Sequence, residues 1–88
     1  MSQDLLSQVP SWEYIEEAKE IRKVFQFKGY YKTIAFTNAI AWQAQIANHH
    51  PELIINFKTV EVRLTTHDAD ALTEKDTELA KIIDQLFF

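Results

Sequence analysis

The chain predicts an α+β domain, a four-stranded antiparallel sheet with two main helices on one face, and three local patterns carry that prediction. Residues 59–66 alternate apolar and polar, which is the period of a half-buried strand. Residues 31–47 run without Gly or Pro and are rich in Ala and Gln, as an amphipathic helix requires. Thr73 is followed three positions later by Asp76 at the head of an apolar helical repeat, a capping-box-like start. The predicted order is ββαββα, with a short leading helix as an optional addition.

Taken in turn, Ser2, Gln3 and Asp4 precede Leu5 and Leu6 in a pattern that caps a short opening helix, and Pro10 ends it by disfavouring a helical Val9. Residues 12–15 and 20–27 are rich in aromatic and β-branched side chains, and Ile21, Lys23, Phe25 and Phe27 share one parity. They predict two strands joined in a hairpin around 16–19. Gly29 breaks this pattern. In the helix that follows, Phe36, Ile40, Ala44 and Ala47 form one stripe, while Trp42 and Ile46 lie off it, placed either in the core or at a contact between subunits. Pro51 ends the helix and leaves Asn48 as a left-handed terminator. Residues 53–57 predict a short apolar strand. In 59–66, Val60, Val62 and Leu64 point to one face, and Glu61, Arg63, Thr65 and the following His67 to the other. The last helix runs to about Leu86 through Leu79, Ile82 and Ile83.

Eighty-eight residues allow one domain over 1–88, and folding at this size buries only about 60 to 65% of the unfolded chain's surface. The 47% hydrophobic content, with one Gly and two Pro, excludes a disordered chain. A formal charge of −4 argues against nucleic-acid binding. With no cysteine, a disulfide scaffold and a thiolate metal site are both excluded. No apolar run approaches the ~20 residues of a membrane span, and the start at Met1-Ser2-Gln3-Asp4 lacks a basic flank, so no membrane partner is expected and the cytoplasm is the expected compartment. Trp42, Ile54, Ile55, Phe87 and Phe88 exceed what so small a core needs, which predicts a homodimer or homotetramer.

All three histidines, His49, His50 and His67, fall in one central stretch, and imidazole is the side chain that changes charge near neutral pH. The ordered set is His49-His50-Pro51, Phe57 six residues past the proline, Thr66-His67 ten residues later, and Asp76 nine beyond that. Together with Phe36-Thr37-Asn38-Ala39 before the histidine pair, this set resembles the pterin-4a-carbinolamine dehydratases from about Trp12 to the C-terminus. The resemblance implies the α+β fold and removal of water from a 4a-hydroxytetrahydropterin to give quinonoid dihydropterin, recycling the pterin of an aromatic amino acid hydroxylase. It implies no cofactor and no metal. It implies His49, His50, His67 and Asp76 as catalytic residues, with His49 and His67 the acid/base pair and His50 mainly binding substrate. Asn48, Thr65, Thr66 and Asp68 would line the pterin.

Alternatives accompany each reading. Adjacent histidines after a helix also serve as capping and surface groups, three histidines with a carboxylate can form a zinc site, and Asp76 also suits a helix N-terminal cap. Relatives that act as non-enzymatic assembly or dimerisation factors share the fold. The chain departs from the family pattern at Gln45, commonly acidic and one turn before His49, at Leu53 and Phe57, and at Ala69-Asp70-Ala71, a turn that is often glycine-rich.

Overall fold

The computed structural model describes residues 2–87. The elements are α1 (Ser2–Leu6), β1 (Glu13–Ile15), β2 (Glu20–Gln26), α2 (Tyr30–Ala47), β3 (Glu52–Ile55), β4 (Thr59–Leu64) and α3 (Glu74–Leu86), with a short 3₁₀ turn at His67–Ala69 between β4 and α3. The four strands form one antiparallel sheet in the order β1-β2-β4-β3. This is the predicted α+β architecture, and the leading helix is present. No helix among the described residues is long and apolar enough to cross a membrane.

Register explains the core. Opposite pairs Ile21↔Leu64 and Phe25↔Val60 put the apolar parity of β2 and β4 on one face. Val60, Val62 and Leu64 are fully buried there, against Ile40 of α2 and Leu79, Ala80 and Ile83 of α3. The other face carries Glu61 and Arg63, with Arg22 directly opposite Arg63. Arg63 Nε donates to Glu61 at 2.7 Å, and this bond with the surrounding carboxylates raises the guanidinium above its ordinary pKa.

Lys23 shares the core-facing parity and is only half-buried, because its stem lies along the apolar face while its head reaches a carboxylate. Its Nζ sits 4.9 Å from the Phe25 ring centroid and bonds Asp84 of α3 at 2.8 Å. Trp12 Nε1–H donates to the same carboxylate at 3.1 Å. Trp12, expected within the first strand, lies just ahead of β1. A turn bonding Trp12 N–H to the Val9 carbonyl swings the indole into the core instead.

Of the expected α2 stripe, Phe36, Ile40 and Ala44 are buried, joined by Thr33, but Ala47 is exposed. Its methyl faces an apolar groove of about 310 Å³ toward Leu79 and Ile82 that it does not fill. Trp42 and Ile46 are 63% and 62% exposed, which removes the core reading of that pair. Phe87 is 41% exposed and lays its ring at the edge of the core, with centroids 5.2 Å from Phe25 and 5.4 Å from Phe27, whereas Phe88 lies outside the described residues.

Asp84 ties the N-terminal segment, β2 and α3 together through one side chain. Asp84→Ala leaves the Trp12 indole N–H and the Lys23 ammonium without that acceptor, and we expect a loss of about 1 to 3 kcal/mol in urea unfolding.

Candidate active site

Helix α2 cannot continue past Ala47, because Pro51 restricts the backbone ahead of it and Asn48 turns left-handed, at φ 52 and ψ 42. The Asn48 N–H bonds the Gln45 carbonyl and the His49 N–H bonds that of Ala44, which is the Schellman pattern. The reversal carries His49 out of the helix and toward α3. On the other side, the β4 strand ends at Leu64, two residues earlier than the alternation suggested, and Thr66 bridges to Ala71. Between them His67–Ala69 forms the 3₁₀ turn, closed by Asp70 at φ 50. A glycine would take that conformation freely. Here Asp70 takes it and pairs with Lys19 at 3.0 Å, itself left-handed at φ 54, in the β1–β2 turn.

These two chain reversals face each other across a pocket of about 270 Å³ lined by Asn48, His49, His50, Thr65, Thr66, His67, Asp68 and Lys75. Seven of those eight residues were expected from the sequence, and Lys75 was not. Lys75 is the second residue of α3, and its only sequence signal was its place beside Asp76. A larger hollow of about 510 Å³ on the outer sheet face contains no histidine, and its Arg22 and Arg63 already pair with Glu20, Glu52 and Glu61.

Asp76 does not line the pocket and is 0% exposed. Its Oδ1 lies 2.6 Å from His49 Nε2. Its Oδ2 accepts from the Thr66 hydroxyl at 2.8 Å and from the Thr73 N–H at 2.9 Å. The helix-cap role weighed for this residue is therefore present on Oδ2, while Oδ1 pairs with His49. A fully buried carboxylate cannot reach a ligand in the pocket directly. With Nε2–H donated to Asp76, Nδ1 is the ring nitrogen of His49 left for chemistry.

Gln45, one turn before His49, is exposed and makes no hydrogen bond to it among the described residues. The left-handed Asn48 has turned His49 away from that helical neighbour, and α3 supplies the carboxylate. The substrate-facing expectation also changes for two threonines. Thr65 donates its hydroxyl proton to the Lys19 carbonyl at 2.6 Å and Thr66 donates its own to Asp76, so toward a ligand both hydroxyls can only accept. The His50 and His67 rings, the Asn48 amide, the Asp68 carboxylate and the Lys75 ammonium have no hydrogen-bond partner among the described residues and are exposed. Among the described residues, no three His, Asp or Glu side chains converge so as to hold a metal ion, which leaves the zinc reading without its geometry.

A family model described as pterin 4 alpha carbinolamine dehydratase matches residues 1–86. A relative from Xanthomonas campestris pv. campestris (strain 8004) that carries the same family name is 45% identical over 84 residues, covering 96% of this chain and 71% of its own. A solved structure described as a transcriptional coactivator/pterin dehydratase from Brucella melitensis has a TM-score of 0.92 at 25% identity, over 99% of this chain and 93% of that one. Another, described as a pterin dehydratase-like protein that is a RuBisCO assembly factor in the alpha-carboxysome, has a TM-score of 0.77 at 25% identity, over 90% of this chain and 92% of that one.

Removing the Asp76 carboxylate strands three buried or half-buried donors at once. We expect Asp76→Ala to lose about 3 to 5 kcal/mol in chemical denaturation, and Asp76→Asn, which keeps one acceptor oxygen, to lose less.

Proposed function

The chain belongs to the pterin 4 alpha carbinolamine dehydratase family, and from that premise we propose that it converts a 4a-hydroxytetrahydropterin to the quinonoid dihydropterin and water. The observation that supports this reading is the convergence of His49, His50 and His67 on one pocket, with a buried carboxylate behind the first. Elimination requires a proton delivered to the leaving 4a-oxygen and another withdrawn from a ring nitrogen. Imidazole, with an ordinary pKa of about 6.5, serves at either end near neutral pH.

The hydrogen bonding supports a division of the two proton-transfer roles. His49, anchored through Nε2–H, offers the Nδ1 lone pair and takes the nitrogen proton, while Asp76 offsets the charge the ring gains. His67, exposed on its 3₁₀ turn and without a protein partner, draws its proton from solvent and passes it to the leaving hydroxyl. His50 binds substrate beside them. Asn48, Asp68 and Lys75 complement the amide-like edge of the pterin. The product would return to the cofactor cycle of an aromatic amino acid hydroxylase in the cytoplasm.

A second reading, an assembly factor on the same fold, is favoured by the exposed Trp42 and Ile46 on α2, which offer a protein-binding face. The intact histidine pocket favours the enzyme. The same two side chains, with Ile55 at 41% exposure, support association into a homodimer or homotetramer.

Dehydration of a 4a-hydroxytetrahydropterin, followed by its ultraviolet absorbance, should slow by about 10² to 10⁴-fold in His49→Ala or His67→Ala. His50→Ala should act mainly on KM. Rates no faster than buffer for the unmodified protein would sink the enzymatic reading. Multi-angle light scattering should give at least twice the 10.3 kDa chain mass at micromolar concentration.

A further inference from the structure

Thr73 does not line the histidine pocket, yet it closes a circuit of hydrogen bonds behind it. The Asp76 backbone N–H donates to the Thr73 carbonyl at 3.0 Å and faces its hydroxyl oxygen as half of the capping box. The Thr73 and Thr66 hydroxyls lie 2.7 Å apart, and Thr66 in turn donates to Asp76 Oδ2 at 2.8 Å. The Thr73 N–H reaches that same oxygen at 2.9 Å. A hydroxyl has one proton to give. Thr66 gives its proton to Asp76, so the proton between the two threonines belongs to Thr73, and each donor in the circuit has a single direction.

The consequence reaches His49. Two donors occupy Oδ2 and prevent the fully buried carboxylate from turning, which leaves Oδ1 for His49 Nε2 alone, at 2.6 Å. We infer that Thr73 is a positioning residue for the reaction: its hydroxyl proton orients Thr66 and, through Asp76, sets the tautomer and aim of His49. The kinetic side of this inference rests on the dehydratase reading, whereas its structural side does not. Without the Thr73 hydroxyl, Thr66 loses its donor and is free to rotate toward the pocket, the carboxylate loses a fixed donor, and the ring loses its single tautomer.

The competing role for Thr73 is that of a helix cap and nothing more. Glycine separates the two, because it caps helices nearly as well as threonine but has no hydroxyl, and serine restores the hydroxyl. Thr73→Gly should lower kcat about tenfold, the rate equivalent of one neutral hydrogen bond at the strong end of its range, with KM unchanged, and Thr73→Ser should recover it. In ¹⁵N-labelled protein, the ring signals of His49 should report one Nε2–H tautomer in the unmodified chain and in Thr73→Ser, and a tautomer mixture in Thr73→Gly. An unchanged His49 spectrum in folded Thr73→Gly overturns the inference whether or not kcat falls, because any loss would then not run through the ring. If the unmodified protein has no dehydratase activity, the proposed function fails, and the same spectra still decide the positioning role.

Discussion

One buried carboxylate organises this molecule. Asp76 lies at the start of α3, and its two oxygens reach the end of β4 through Thr66, the α3 N-cap through Thr73, and the reversal after α2 through His49. Three chain segments that are distant in sequence are thereby fastened at one point. A buried charge of this kind is tolerable only when it is fully paired, and no buried side-chain polar atom lacks a partner among the described residues. The site is consequently part of what holds the fold together at that end of the sheet, and the opposite ends of the helices rely on aromatic packing around Phe25, Phe36 and Phe87.

Much of the architecture was legible because it follows from local rules. The period of two in β4, the spacing of Phe36, Ile40 and Ala44, and the pair Thr73 and Asp76 each name an element without reference to the rest of the chain. The histidines were legible as a constellation for the same reason, since their spacing is a property of the sequence. The contact between His49 and Asp76 spans 27 positions and is set by how α3 docks, which no local pattern encodes. The sequence accordingly shows Gln45 one helical turn before His49 but carries no local signal for the Asp76 contact or for Lys75 in the pocket wall.

At two further positions the placement depends on partners distant in sequence. Lys23 has the parity of a core residue and the chemistry of a surface one, and the structure satisfies both by laying its stem across Phe25 toward Asp84. Trp12 has strong strand propensity, but a large indole gains more from the core, where its N–H also finds an acceptor. In each case a tertiary partner on α3 decided the outcome.

Asn48 shows how tightly a short chain can overlap its requirements. The backbone there favours a residue at ease with positive φ, which glycine and asparagine adopt most readily. The pocket wall at the same position presents a polar amide that glycine lacks. Asparagine meets both demands, so mutational drift at this site is hemmed in twice: most replacements strain the backbone, and glycine, which does not, leaves the pocket without its amide.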